Sequence, residues 1–296
     1  MITYFLPGHG IYGGIKVAYQ FVDALNQLGV PARIAAPEGL AETWFDARAS
    51  VISRESVLNE PAQGTWVFSF PPDYRELRDR ANRLVYHCQG TTHELVDTIL
   101  ADPGVWILTC WDEARERAAS FGRNPCDVGI GVPEVFFHSG ASKVPLSVAY
   151  MPRRGSDVLE HVRHAISLVP GASLKPIDGM HEREVAETLQ HSSIFIATSE
   201  GEAFGLPALE ALASGCLVLS VPVVGGTEYL KAARCAVVPP DQLGEALISL
   251  LRRDREPSSR LDRVLGRAVA SRYTVAGMRA KLAACLREHQ WHRSTN

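Results

Sequence analysis

Short apolar runs alternate with amphipathic stretches along almost the whole chain, and this alternation constrains the fold more than any other feature. The first run, Ile2–Leu6, ends at Pro7-Gly8 and is followed by Ile15–Leu28, whose apolar residues recur at helical spacing. Gly29 ends that helix, and Ala32–Ala36 forms the next strand. Strands separated by helices are typical of parallel sheets, because each connection must cross back over the sheet. The pattern predicts an α/β protein.

The alternation occurs twice, and the two halves predict two Rossmann-type domains in tandem. Further strands of the first half are predicted at Trp66–Phe70, Leu84–His87, Trp106–Cys110 and Asp127–Ile130, with helices at Arg75–Ala81, His93–Leu100 and Asp112–Ser120. Strands of the second half are predicted at Leu146–Tyr150, Ser173–Ile177, Ile194–Thr198, Cys216–Val221 and Ala236–Val238. Its helices are predicted at Ser156–Leu168, Glu182–Gln190, Leu206–Ser214, Asp241–Arg253, Ser258–Ser271 and Val275–His289. The linker-like segment His138–Lys143 separates the halves, so we expect domains at 1–140 and 141–272 and a terminal helical segment at 273–296.

The charge of the chain argues against nucleic acid as a partner. Thirty basic residues against 33 acidic ones give a net charge of −3, whereas a nucleic-acid surface needs a strong positive field. The charge is unevenly distributed, since the region from Leu251 onwards holds 11 basic and four acidic residues. A solvated basic helical face is the favoured interpretation of that region. Peripheral contact with an anionic membrane is the alternative.

Targeting signals and cysteine patterns favour a cytoplasmic protein. The N-terminus lacks a basic segment followed by a long apolar one, and the longest apolar stretch, Cys216–Val224, is too short to span a bilayer. The six cysteines show no C-x-x-C spacing and no ligand-like spacing with histidine. We therefore interpret them as small core residues in a reducing compartment.

A glycine-rich turn lies between the first strand and the first helix. The segment Gly8-His-Gly10-Ile-Tyr-Gly13-Gly14 contains G-x-G-x-x-G, and Glu38 follows the second strand. This spacing occurs in dinucleotide-binding turns, where an acid binds the ribose. Free N–H groups and the helix dipole at such a turn suit any phosphate, so the motif indicates an anion without selecting NAD.

A second motif places two carboxylates eight residues apart around a predicted helix start. Glu202 precedes Phe204-Gly205-Leu206-Pro207, and Glu210 falls about one turn inside the helix. Proline is well tolerated in the first helical turn because its missing N–H has no partner there in any case. A carboxylate near that end can accept ribose hydroxyls, and the free N–H groups can bind a phosphate or a sugar. A capping acid followed by a solvated helix acid is the alternative interpretation.

The string Glu-x-Phe-Gly-Leu-Pro-x-x-Glu-Ala-x-Ala-x-Gly resembles the E-x7-E signature of family-4 retaining glycosyltransferases. These enzymes have the GT-B fold, with two facing Rossmann-like domains and a C-terminal helix that crosses back to the N-terminal domain. The resemblance extends along most of the chain. Segments that share it are Gly13-Gly14, Gly131-Val132 with Phe136 or Phe137, Arg153-Arg154-Gly155, Gly225-Gly226-Thr-Glu228 and Tyr273-Thr274.

The resemblance implies a role for each matching residue. Gly13 and Gly14 belong to the donor site, where the Gly14 N–H meets the donor diphosphate. Arg153 and Arg154 neutralise that diphosphate, with Arg154 expected to act in catalysis. Glu202, also a catalytic candidate, holds the donor sugar with the amides of the segment Phe204, Gly205 and Leu206, and Glu210 holds the ribose. The chain departs from the family at Ala149-Tyr150-Met151, which replaces a Gly-Arg, and at Pro133, which replaces an Asp.

A histidine near the reacting centre is also implied. The segment Leu84–Gly90 occupies the matching place and leaves His87 or Gln89 as the counterpart, with His93 nearby; His87 is the catalytic candidate that we name. The chain contains no D-x-D, the pair with which the other large glycosyltransferase fold holds a metal. We therefore expect no metal site and no cofactor, with arginines and helix N-termini balancing the leaving diphosphate.

These expectations describe a retaining, hexosyl-type and metal-independent transferase. It moves sugar from a nucleotide-diphosphate donor to a hydroxyl of a saccharide or lipid-linked acceptor, in polysaccharide, glycolipid or glycoconjugate biosynthesis. Two alternatives stay open. An NAD-dependent oxidoreductase fits the glycine-rich turn, and a catalytically silent sugar-nucleotide-binding protein fits the short N-terminal domain.

Overall fold

The computed structural model describes residues 1–137, 140–152, 155, 158–289 and 291. Its contacts divide the chain into two compact units, one comprising Met1–Gly131 with Val275–Asn296 and the other Val132–Thr274. Unit 1 therefore ends nine residues before the sequence-based boundary at 140. The C-terminal segment groups with the N-terminal unit.

Unit 1 is built on a parallel sheet of seven strands. They are β1 Ile2–Phe5, β2 Ala32–Ala36, β3 Val51–Ser53, β4 Thr65–Phe68, β5 Arg83–Cys88, β6 Val105–Thr109 and β7 Cys126–Asp127. The spatial order is β3-β2-β1-β4-β5-β6-β7, and neighbouring strands are parallel throughout. The helices between them are α1 Gly13–Gln27, α2 Arg54–Asn59, α3 Asp73–Leu77, α4 Val96–Ala101 and α5 Asp112–Ser120. From β1 the chain adds β2 and β3 on one side and then returns to add β4 on the other side of β1. The switch point of the sheet therefore lies between β1 and β4.

Unit 2 repeats the architecture with a parallel sheet of five strands. They are β8 Val144–Tyr150, β9 Ser173–Pro176, β10 Ser192–Ala197, β11 Leu217–Ser220 and β12 Ala236–Val237, in the spatial order β12-β11-β10-β8-β9. Its helices are α6 Leu159–Ser167, α7 Glu182–His191, α8 Leu206–Ala213, α9 Thr227–Ala232, α10 Leu243–Arg253 and α11 Ser258–Ala270. A core of aliphatic side chains from β8, β10, β11, α6 and α10 fills one face of the sheet.

Helix α12, Val275–His289, packs in unit 1 against α1 and β7. The residue Trp291 beyond it is fully buried, and its carbonyl accepts hydrogen bonds from Thr65 and Arg83. None of the helices within the described ranges combines the length and hydrophobicity that a membrane crossing requires.

One expectation about the cysteines was wrong. Cys126 of β7 and Cys285 of α12 form a disulfide across 159 residues of sequence, with Cα atoms 5.9 Å apart. The other four cysteines are free, and Cys88, Cys110 and Cys216 are buried as expected. The pairing was not predictable from spacing, because it depends on α12 returning to the edge strand of unit 1.

The observed elements differ from the predicted ones mainly where strands and helices are short. The pair β3 and α2 was not predicted, because β3 has only three residues, of which two are apolar, and all three are only partly buried. Helix α9, of six residues, was also missed. The last strand of unit 1 ends at Asp127 rather than continuing to Ile130, and Gly129 adopts a positive φ of 65° just beyond it.

Candidate functional site

The topology of unit 2 locates a crevice at the carboxyl ends of β8 and β10. These strands are neighbours, but the chain leaves β8 towards β9 and leaves β10 towards β11 on the other side. Parallel sheets bind ligands outside the strand ends at such a switch point, where the two following loops diverge. The described residues there are Met151, Pro152, Gly155 and Val158 after β8 and the segment 198–205 after β10. The segment after β10 contains Glu202, so the fold places this acid at the predicted ligand edge.

The main chain around Glu202 is fixed by hydrogen bonds to the segment that follows β11. The Gly201 N–H donates to the Pro222 carbonyl at 3.0 Å, and the Val224 N–H donates to the Glu202 carbonyl at 3.0 Å. Glu202 itself is half-buried. Its side chain therefore projects from a loop whose backbone is held at two points.

The start of α8 is held by a buried tyrosine that the sequence did not single out. Gly205 caps the helix in the left-handed conformation, with φ of 79°, and α8 has no side-chain cap. The Tyr229 hydroxyl lies 3.1 Å from the Phe204 carbonyl and 2.7 Å from the Gly205 carbonyl, to which it donates. Pro207 has no N–H and the Ala208 N–H donates to the Gly205 carbonyl at 3.0 Å, so the Leu206 N–H is the group of the first turn that can meet an anion. Tyr229 belongs to α9, a helix that the sequence analysis did not predict. The local sequence therefore gave no signal for this tyrosine.

Two glycines let neighbouring loops approach this helix start closely. A Cβ on Gly226 would lie 2.2 Å from the Phe204 carbonyl oxygen, and Gly226 has φ of 74°. A Cβ on Gly155 would lie 2.4 Å from the carbonyl oxygen of Thr198, the residue after β10. The Gly-Gly turn and the segment after β8 thus both contact the segment that carries Glu202. The structure brings these three sequence motifs together.

Glu210 is a buried carboxylate. It lies one turn inside α8 and is 6% exposed, which excludes the interpretation as a solvated helix acid. The neighbouring residues Leu209 and Ala211 are completely buried. A carboxylate one turn inside a helix start lies where the helix dipole favours negative charge, so the buried Glu210 is a candidate for binding a ligand.

Two of the predicted donor-site residues, Arg153 and Arg154, lie outside the described residues. Gly155, which follows them, is described and packs against Thr198. Their predicted roles toward the donor diphosphate therefore stay predictions.

In unit 1, the glycine-rich turn lies at the corresponding switch point between β1 and β4. Helix α1 begins at Gly13, and its N-cap residue Tyr12 makes no side-chain cap bond. Before the helix start, the Gly10 N–H donates a hydrogen bond to Glu42 at 3.2 Å, and His9 also pairs with Glu42. Contact with Pro37 and Glu42 raises the pKa of His9, which favours its charged form. The turn is therefore tethered to the chain beyond β2, while Gly13 and Gly14 form the start of the helix.

His87 lies inside the sheet and takes part in a buried hydrogen-bond chain. Its Nδ1 is 3.0 Å from the Tyr4 hydroxyl and its Nε2 is 2.9 Å from the Cys110 sulfur. Only 1% of His87 is exposed, and burial lowers its pKa to about 3. The imidazole is therefore neutral at physiological pH, and its two nitrogens contact Tyr4 and Cys110.

Gln89 extends that chain towards α1. Its amide nitrogen donates to the Tyr4 hydroxyl at 3.0 Å, and its Oε1 lies 2.7 Å from the position that a Cβ on Gly14 would occupy. His93, the third candidate, accepts a hydrogen bond from the Leu95 N–H. Of the three candidates for this position, Gln89 is the one that the structure places beside the glycine-rich turn.

Acidification should destabilise the protein through His87. The unfolded histidine takes up a proton below about pH 6.5, whereas the folded one resists protonation until about pH 3. The contribution of His87 to the free energy of unfolding is therefore fully present well above pH 6.5 and is lost as the pH falls. Between pH 6.5 and 5 the loss amounts to about 2 kcal/mol in the free energy of unfolding. Denaturant titrations of wild type and His87→Phe measure it, and an equally steep pH dependence in the variant would contradict the assignment.

Within the described ranges, no three histidine, cysteine or acidic residues come together in an arrangement that could hold a metal ion. Metal independence remains a prediction.

Comparison with known families identifies the central part of unit 2. Residues 162–263 match the family described as Glycosyl transferases group 1, and the matched segment includes Glu202, Tyr229 and Glu210. No curated protein sequence shows significant similarity to this chain.

Solved glycosyltransferases share the fold of both units. WaaG, a glycosyltransferase involved in lipopolysaccharide biosynthesis, is 13% identical with a TM-score of 0.69, covering 97% of this chain and 100% of WaaG. HepE from Anabaena, in complex with UDP and glucose, is 11% identical with a TM-score of 0.65, covering 97% of this chain and 99% of HepE. TarM from S. aureus is 10% identical with a TM-score of 0.60, covering 74% of this chain; the chain spans only about half of TarM, 54%. The family match and the shared GT-B fold together support a GT-B glycosyltransferase.

Proposed function

We propose that this protein is a retaining glycosyltransferase that moves a sugar from a nucleotide-diphosphate donor to an acceptor hydroxyl. The observation that carries the proposal is the burial of Glu210 in a helix that starts at the switch point of unit 2. A carboxylate there can accept hydrogen bonds from two ribose hydroxyls. The N–H groups of the loop between Glu202 and α8 can bind a sugar or a phosphate.

Each residue in the proposal has a distinct task. Glu210 binds the ribose, and Glu202 with the amides of 204–206 binds the donor sugar. Gly14 offers its N–H to the diphosphate, and Arg153 and Arg154 compensate the charge that the diphosphate gains. In this proposal Gln89 presents its amide beside Gly14, while Tyr4 and His87 hold it in position, because His87 is too deeply buried to touch substrate directly.

The chemistry follows from where charge develops. As the glycosidic bond breaks, positive charge grows on the sugar and negative charge on the leaving diphosphate. Fixed N–H dipoles and cations stabilise the diphosphate without reorganising at the moment of reaction. In the proposed retaining step, a diphosphate oxygen takes the acceptor proton while the acceptor oxygen attacks the same face of the sugar. The products are a nucleoside diphosphate and a glycoside with unchanged anomeric configuration.

The comparisons favour UDP as the nucleotide and a saccharide as the acceptor; a lipid-linked acceptor is part of the proposal without a counterpart among them. HepE was crystallised with UDP and glucose, and TarM with UDP, alpha-GlcNAc-glycerol and fondaparinux. Both share the fold of this chain, which supports a similar donor without fixing the sugar. A cytoplasmic location, where such donors are made, is part of the same proposal.

The experiment that tests the function is direct. Purified protein is screened by thermal shift against UDP-, GDP- and dTDP-sugars, because a ligand far above its Kd stabilises the native state by several kcal/mol. Stabilising donors are then incubated with saccharide acceptors, and nucleoside diphosphate release and product anomer are measured. An α-linked product from an α-linked donor supports the proposal. Donor that binds but stays intact favours the silent binding protein, and a nicotinamide absorbance change favours the oxidoreductase.

We expect Arg154→Ala to lower kcat/KM at least tenfold, a loss of about 1.4 kcal/mol or more of transition-state stabilisation. Arg153→Ala should have a smaller effect, because the motif match assigns the main contact with the diphosphate to Arg154. Activity should persist in EDTA. Activity that disappears in EDTA and returns with manganese, while Arg154→Ala stays near wild type, would show that a metal balances the diphosphate instead.

A further inference from the structure

Helix α11 has a well-defined inner face, which packs against α8. Ser259, Gly266, Val269 and Ala270 are buried. A Cβ on Gly266 would lie 2.9 Å from the side chain of Leu212, so this glycine permits close contact between the two helices. These positions fix the rotation of α11 about its axis and therefore which residues face outwards.

The outward face of α11 is apolar. Leu261 is 74% exposed, more than any other large apolar side chain within the described ranges, and Val264 is 53% exposed. Ala268 is also exposed, and Leu265 is partly buried. Spacings of three, four and seven residues place the exposed three on one stripe opposite the buried face. A helix that merely covers a soluble domain carries polar residues on such a face.

Positive charge borders this stripe. Arg260 is exposed on one side of it, the partly buried Arg267 on the same side has its guanidinium near Gly215, and Arg252, Arg255 and Arg272 are exposed at the two ends. None of these five forms an ion pair with another described residue. The acids nearby are mostly neutralised, since Asp262 pairs with Arg253 and the buried Asp254 pairs with Arg263. Glu256 is exposed before the helix, where it accepts a hydrogen bond from Ser258.

We propose that the outward face of α11 docks on an anionic lipid bilayer. The apolar side chains in the centre of the face would contact the acyl chains of the bilayer. The arginines at its border, which form no ion pair with a described residue, would contact the acidic headgroups. A second copy of the chain fits less well, because twofold pairing of this face would bring its arginines against each other. Two large side chains and a few arginines give weak, reversible binding that salt disrupts.

The test measures co-sedimentation of the full chain with vesicles. Wild type should bind vesicles of phosphatidylcholine with 30% phosphatidylglycerol, and should bind pure phosphatidylcholine at least tenfold less. Leu261→Ser/Val264→Ser and Arg255→Gln/Arg260→Gln should each lower binding about fivefold or more. The matched control Leu168→Ser/Arg163→Gln changes an exposed leucine and an exposed arginine of α6 and its C-terminus, and it should bind as wild type does.

Other results would overturn the proposal. Binding that is insensitive to both α11 variants, or no binding to anionic vesicles at low salt, rejects the bilayer as the partner. A concentration-dependent dimer that Leu261→Ser abolishes assigns the face to a second copy. The docking surface does not depend on the proposed transfer reaction, so Glu210→Gln should bind vesicles normally and the α11 variants should keep their activity on soluble substrates.

Discussion

Replacing Glu210 with glutamine should weaken donor binding ten- to a hundredfold while leaving the protein folded. Glutamine keeps the shape of the buried side chain but removes the charge that would accept the ribose hydroxyls. Hydrogen bonds to a charged group contribute roughly 1.5–3 kcal/mol, which sets the size of the expected loss. Calorimetric titration with the nucleoside diphosphate measures it, because the ribose is present in the donor and in the free nucleotide alike.

The matched control is Glu160→Gln, which changes an exposed helical acid of the same unit and should leave affinity unaltered. A folded Glu210→Gln variant with wild-type nucleotide affinity would remove this residue from the donor site. We expect Glu210→Gln to lower the affinity for the intact sugar nucleotide and for the bare nucleotide equally. A substitution in a residue that binds only the donor sugar would lower the affinity for the intact sugar nucleotide alone.

Substituting Gly226 with alanine should lower kcat/KM roughly thirtyfold or more, equivalent to about 2 kcal/mol. The added Cβ would meet the Phe204 carbonyl at 2.2 Å and the Tyr229 ring at 2.5 Å, so the helix start of α8 must shift. That shift moves the N–H groups and the carbonyls that Tyr229 holds. The proposed donor site would thereby be disturbed without any change in its polar groups.

Gly201→Ala separates this steric effect from backbone strain. Gly201 has φ of 68°, similar to the 74° of Gly226, but a Cβ there meets nothing within 4 Å. Both variants carry the strain of a left-handed alanine, about 1–2 kcal/mol of stability, and only Gly226→Ala carries the clash. Melting temperatures and kcat/KM measured side by side test the difference. Equal catalytic losses in the two variants would show that the close approach is unimportant.

The elements that the sequence predicted best are those whose apolar pattern is long and local. In α1, Val17, Phe21 and Leu25 are buried on the predicted face, and β2 has the predicted bounds, Ala32–Ala36. Short edge elements were missed, because β3 has only three partly buried residues. Helix α9 follows a glycine turn, so its position depends on contacts with the loop after β10.

The candidate site divides in the same way. Glu202, Gly205 and Glu210 could be named as candidates because one contiguous string carries them, and contiguous residues keep their spacing in any fold. Tyr229 was missed because it lies 24 residues after Gly205 and reaches that carbonyl only in the folded unit. His87 and Gln89 were left as alternatives, and the buried chain through Tyr4 distinguishes them by placing Gln89 beside Gly14.

The sequence by itself determined the α/β class, the repeated Rossmann-like pattern and the string that links this chain to glycosyltransferases. These depend on local periodicity and on residues adjacent along the chain. Only the tertiary structure decided the burial of Glu210, the Cys126–Cys285 disulfide and the packing of α12 in unit 1. Each of these depends on contact between distant segments, because burial and pairing are properties of neighbours in space and not of spacing along the chain.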